Sequence, residues 1–171
     1  MEQSVSTARV ALKYGVLTAV VIMVYTTILN VAGQALNKSL AYFSFLFLIF
    51  GLVLTMKNFR KENGGYMSYG DGLGLGTLMS AVMGFFTAML SMLYTRFIDT
   101  ESAMQAMEKT RMDMEAQGIS DAQIDTAMEF SQKVMSPGMM FVIGVFWYLL
   151  IGFLFSIVIA AILRRDKPVF D

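Results

Sequence analysis

Cysteine and histidine are both missing from the 171 residues. Without cysteine there can be no disulfide, no thiolate nucleophile and no iron–sulfur ligation. Without histidine the commonest general base and the commonest metal ligand are gone. Charge is scarce as well: Asp, Glu, Lys and Arg make up 15% of the chain, against about a quarter in a soluble domain. Thirteen basic residues balance thirteen acidic ones, so no basic excess marks a nucleic-acid partner. What is abundant is apolar surface, at 56% of all positions.

That surface falls into four long uncharged runs. The third organises the rest. From Gly72 to Thr95 there is no charge, and at helical rise this run spans about 36 Å, enough to cross a bilayer core with some tilt. Read every fourth residue, it gives Gly72, Gly76, Ser80, Gly84 and Ala88. Such a spacing keeps side chains near one helix face, and small residues there let two backbones approach closely in lipid. The fourth run, Met139 to Leu163, carries a matching row of Gly144, Tyr148, Gly152, Ser156 and Ala160. The two rows predict antiparallel helices packed row to row, with Tyr148 placed where its hydroxyl can find a partner. Trp147 and Tyr148 lie deeper in this run than the interfacial belt where such residues usually gather.

The first run, Tyr14 to Asn37, follows Arg9 and Lys13. Its basic start and its small residues at Ala32, Gly33 and Ala35 would also suit a cleaved signal peptide. The run is longer than a usual signal core and its basic residues come late, so it reads as a span. Ala11, Gly15 and Ala19 form a smaller stripe at one end of it, and Asn30, Gln34 and Asn37 line one face at the other. A short connection at Lys38 leads to the second run, Ser39 to Met56, which predicts an antiparallel neighbour. Spans are expected over residues 10–36, 39–57, 69–95 and 137–163. Residues 57–71 read as a loop, with a turn at Asn63-Gly64-Gly65 and a capping box from Ser68 to Asp71. The glycines from Gly70 to Gly74 lack the spacing and the lysine of a phosphate-binding loop, so no nucleotide is expected.

Residues 96–138 are the one substantial polar region, with eight acidic and four basic side chains. They read as a helical hairpin over 99–135. Asp99 or Thr100 would cap its first helix, Gly118 would end it, and Ser120 with Gln123 would cap the second, Ile119 and Ile124 closing a staple. Ser136-Pro137 ends the hairpin and opens the fourth span, with proline at its first helical position.

Eight Lys/Arg fall within residues 1–13, 57–71 and 164–171, and five at Lys38 and in 96–138. The excess of positive charge marks the cytoplasmic side. Both termini are therefore expected in the cytoplasm and the hairpin outside it. The fold class expected is an all-α membrane protein: a four-transmembrane-helix bundle with an extracytoplasmic hairpin between its third and fourth spans, forming one integral membrane domain.

Several short motifs carry a resemblance. These are Ala11-Leu12-Lys13-Tyr14-Gly15 at the first span, Gly64-Gly65-Tyr66-Met67-Ser68-Tyr69-Gly70 entering the third, and Ile98-Asp99 leaving it. Ser136-Pro137 and the ending Gly152…Ser156-Ile157-Val158-Ile159-Ala160-Ala161-Ile162-Leu163-Arg164-Arg165 complete the set. Over essentially its whole length the chain resembles a family of small bacterial inner-membrane proteins known as domain of unknown function 4199. The resemblance implies four spans and a membrane location. It implies no activity and no functional residues.

The spans lack ionisable residues between their ends, which argues against ion-coupled transport; a passive pathway for a small solute, or a transporter subunit, stays open. Ser80, Ser91 and Ser156 have no base at helical spacing, so an enzyme is not expected. Met104, Met107, Met112, Met114, Met128, Met135, Met139 and Met140 gather in and beside the hairpin. Soft thioethers select Cu(I), but eight further methionines lie elsewhere and Met is a common gap filler. No cofactor and no metal is expected, and a Cu(I)-binding methionine-rich external hairpin is the weaker alternative. The expected partners are the lipid bilayer and, through the small-residue rows, a second copy or another membrane protein. The leading reading is a structural, accessory or interaction component of the membrane.

Overall fold

The computed structural model describes residues 5–34, 37–98, 102–134 and 136–167. Among these residues there are six helices: α1 (Thr7–Val31), α2 (Lys38–Glu62), α3 (Tyr69–Phe97), α4 (Ser102–Ala116), α5 (Asp121–Val134) and α6 (Pro137–Leu163). Among the described residues there is no strand, only an isolated antiparallel bridge between Met67 and Arg165. The chain forms two compact units, residues 1–87 with 144–171, and residues 88–143.

Among the described residues four helices are long and apolar enough to cross a membrane: α1, α2 from Ser39, α3 and α6. The most apolar of them is α6, with a mean hydropathy of 2.6, yet only 17% of its apolar window is buried within the protein. The corresponding stretch of α3 has 1.7 and 33%. Water would demand the opposite order, since the most apolar helix would gain most from burial. Leu17, Val24, Phe50, Phe146, Leu154 and Val158 all stand exposed. A chain with this surface is built for lipid.

The ends of the helices differ from the ends of the apolar runs, for local reasons. Helix α1 stops at Val31 because Gly33 takes a left-handed φ of 66°, and the Gln34 amide then reaches back to the Leu29 carbonyl at 2.8 Å. Only Gly and a few polar residues enter that conformation freely. Gln34 and Asn37 therefore leave the helix that carries Asn30. Asn37 instead caps α2, accepting from the Ser39 amide at 3.1 Å. At its other end α2 continues through Lys57, Arg60 and Lys61 to Glu62. Charge ends a span but not a helix, and basic residues suit a helix C-terminus. The loop that follows is correspondingly short.

Inside the first unit α3 is the central helix. On one face Leu75, Met79 and Met83 are fully buried. A Cβ placed on Gly15 of α1 would lie 2.7 Å from Val82 Cγ1 and 2.9 Å from the Met79 carbonyl oxygen, so α1 and α3 meet at backbone distance. Gly51 of α2 packs against Thr18 of α1 and against Met79, whose Cε would sit 2.9 Å from an added Cβ. Ala11, Gly15 and Ala19 thus face the core, with Val10 and Ile22 beside them.

In the second unit, α4 ends as its glycine dictates. Gly118 has φ 75°, and the Ile119 amide bonds back to the Met114 carbonyl at 3.2 Å, a Schellman-type stop. Ser120 donates to Gln123 Oε1 at 3.1 Å, and Ile124 is buried while Ile119 is half-buried. Arg111 spans the turn, with Glu115 at 3.2 Å and Asp125 at 3.9 Å. The hydrogen bond to Glu115, then the field of Asp125, holds its guanidinium pKa above the ordinary arginine value. The pair is solvent-exposed and screened, so it orients the helices more than it stabilises them. The proposed caps at Asp99 and Thr100 lie outside the described residues.

Candidate functional site

The helices of the first unit converge on a seam between α3 and α6. Each step of four along α3 meets a step of four back along α6. A Cβ on Gly72 would lie 2.8 Å from Ala160 Cβ, and one on Gly76 would lie 2.8 Å from Ser156 Cβ. Gly152 abuts Ser80, and a Cβ on Gly84 would lie 2.9 Å from Tyr148 Cβ and 3.1 Å from the Val145 carbonyl oxygen. Real Cβ atoms essentially never come nearer than 3.0 Å, so at these positions glycine sets the distance between the helices. Four pairs taken from the two rows therefore face each other within the unit. Ala88, in the second unit, is buried, and Gly144 is half-buried.

The hydroxyls near the seam are treated differently. Ser156 Oγ donates to the Gly152 carbonyl at 2.6 Å, and Thr77 Oγ1 to the Leu73 carbonyl at 2.7 Å. Bonding back by one turn is the cheapest satisfaction available away from water. Ser80 Oγ and Thr87 Oγ1 are buried with no hydrogen-bond partner among the described residues. Ser91 is exposed. With Ser156 bonded to its own helix and Ser80 pressed against Gly152, neither hydroxyl is coupled to a base.

One end of the seam is tied by contacts that sequence reasoning missed. Arg60 Nη1 donates to the Leu163 carbonyl at 3.1 Å, satisfying one of the carbonyls that α6 leaves open at its C-terminus. Met67 and Arg165 exchange backbone hydrogen bonds of 2.9 and 2.8 Å, and the Arg165 guanidinium lies 5.8 Å from the Tyr66 ring centroid. Met67 is fully buried, its Cε 3.0 Å from where a Gly72 Cβ would be. Ser68 and Asp71 form the expected capping box: the Asp71 amide donates to Ser68 Oγ, and the Ser68 amide to Asp71 Oδ2, each at 3.1 Å. Arg60 and Arg165 read in the sequence as orientation charges only. Their pairing joins residues about a hundred positions apart, and no local pattern encodes it.

A family described as protein of unknown function (DUF4199) has a model that matches residues 13–165. The chain belongs to the DUF4199 family. The match begins at Lys13, close to the start of α1, and ends at Arg165, the residue that closes the bridge to Met67. No curated protein and no solved structure matched the chain.

Two further sets of residues can be placed in this DUF4199 protein. Of the hairpin methionines, Met104 and Met112 are exposed, and Met107, Met114 and Met128 are half-buried. Met139 and Met140, at the start of α6, are exposed, and Met135 lies outside the described residues. Tyr148 sits opposite Gly84, and among the described residues its hydroxyl has no hydrogen-bond partner. Its side chain lines a cavity with Trp147.

Proposed function

We propose that this DUF4199 protein is a multi-pass component of the bacterial inner membrane that acts by association, as a structural or accessory subunit, and not as an enzyme or an ion-coupled pump. The observation that carries this reading is the α3–α6 seam. Its small residues are spent on intramolecular packing, and the approach of the two helices leaves no room for a solute along it. Ionisable side chains are absent from the middle of all four candidate spans, whereas coupled transport relies on such groups. The remaining surface of the first unit is large apolar side chains, suited to lipid and to other membrane helices. Contact with a second copy, in this reading, uses those outer faces and not the two rows.

The reading places both termini and the 63–68 loop in the cytoplasm, supported by the bias of Lys and Arg toward those segments. Because the chain has no cysteine, single replacements report without background. Ser6→Cys and Asn63→Cys should react with a membrane-impermeant maleimide only after the cells are opened, and Gln117→Cys in intact cells. The reverse pattern would overturn the orientation. Cross-linking in native membranes followed by purification should capture a discrete membrane partner; recovery of nothing but monomer would remove the accessory role.

A further inference from the structure

Two features of the sequence are not accounted for by the seam, although the Tyr148 Cβ packs against Gly84 there. Trp147 and Tyr148 lie too deep for an interfacial belt, and Asn30 is a carboxamide near the end of a span. The structure brings them together. Asn30 of α1, Tyr42, Ser44 and Phe45 of α2, and Trp147 and Tyr148 of α6 line a cavity of about 360 Å³ within the first unit. Tyr42 and Trp147 are 65% and 53% exposed, so the cavity is open at its edge.

The lining specifies an occupant. Among the described residues it holds no charged side chain, so none of these selects a phosphate, a carboxylate or a cation. Four aromatic side chains supply flat walls, which favour stacked or edge-on rings. Asn30, Ser44, Trp147 and Tyr148 carry side-chain donors with no hydrogen-bond partner among the described residues. These donors are open to whatever fills the cavity, and an acyl chain offers them no acceptor. A neutral ring bearing carbonyl oxygens does. The volume lies near the lower end of the roughly 300–1,000 Å³ usual for small-molecule sites, enough for a substituted ring whose aliphatic tail stays in lipid. We propose that this cavity binds the ring of a neutral, membrane-soluble quinone through hydrogen bonds from Asn30, Ser44, Trp147 and Tyr148 to its carbonyl oxygens. The site does not depend on which side of the membrane the termini occupy.

Trp147 is the only tryptophan in the chain, so intrinsic fluorescence reports this wall alone. The full chain in phosphatidylcholine nanodiscs is titrated with decylubiquinone. Saturable quenching of Trp147 is expected, with half-saturation raised roughly five- to tenfold in Asn30→Leu and in Tyr148→Phe, each lacking one donor. If Asn30→Leu does not fold, Ser44→Ala makes the same comparison with a smaller change. A control reporter, Trp147→Phe combined with Leu154→Trp, places the indole at an exposed position of α6 and should quench only linearly, by quinone dissolved in the bilayer. Linear quenching of wild type with the control's slope would overturn the proposal, as would saturation that none of the donor variants shifts. Reversal by an equal concentration of lysophosphatidylcholine would assign the cavity to phospholipid and overturn it as well.

Discussion

Two glycines two residues apart on α3 have opposite roles. Gly76 faces Ser156 and Met56 Cε at distances no Cβ could share, whereas a Cβ on Gly74 would meet nothing within 4 Å. Gly76→Leu should force α3 and α6 apart at a cost of about 1–3 kcal/mol, the range for overpacking. Gly74→Ala should be neutral or stabilise by up to about 1 kcal/mol, the helix preference of alanine over glycine. Thermal unfolding in one detergent separates the two; equal responses would contradict the seam. Spacing alone could not tell the two apart with certainty, because glycine's cost depends on what stands opposite. The row of four picked out Gly76 and passed over Gly74, and the contacts supply the reason.

Among the elements, α6 depends on a residue outside itself. Its C-terminal carbonyls are left open by the helix, and Arg60 from the end of α2 reaches the one on Leu163. Arg60→Ala should cost about 0.5–1.5 kcal/mol, the net worth of a hydrogen bond in a folded protein. The unfolding midpoint in detergent checks this, with Lys61→Ala, exposed on the same turn, expected to leave it unchanged. Several helix starts and stops were legible where one residue type forces them: Gly118 ends α4, Ser68 with Asp71 opens α3, and Pro137 opens α6; the stop that Gly33 imposes on α1 was not. They were less legible where charge and helix part company. Lys57 marks the end of an apolar run, but the backbone there has no reason to stop being helical until Asn63.

For the whole molecule, the governing fact is the inverted relation between hydropathy and burial in α6 and α3. A chain that leaves its most apolar helix least covered should stay with the membrane pellet after alkaline carbonate extraction. Release into the supernatant would contradict a spanning architecture. The division into two units also separates two kinds of physics. The first unit is held by close helix approach in an apolar medium. In the second, the α4–α5 hairpin is polar, with exposed ion pairs at Arg111–Glu115 and Lys133–Glu129, and is built from caps and turns.

Local rules acting within a few residues settled the helical class, the four apolar lengths, and the paired rows on α3 and α6. Hydrophobic run length and side-chain size are properties of the chain itself, and they act the same way wherever the chain goes. Only the packed structure decided that Gly15 meets Met79 and Val82, that Arg60 serves α6, and that Asn30 shares a cavity with Trp147 and Tyr148. Those contacts join segments distant in the chain, which local pattern cannot bring together, whereas in the packed unit α3 meets α1, α2 and α6 alike.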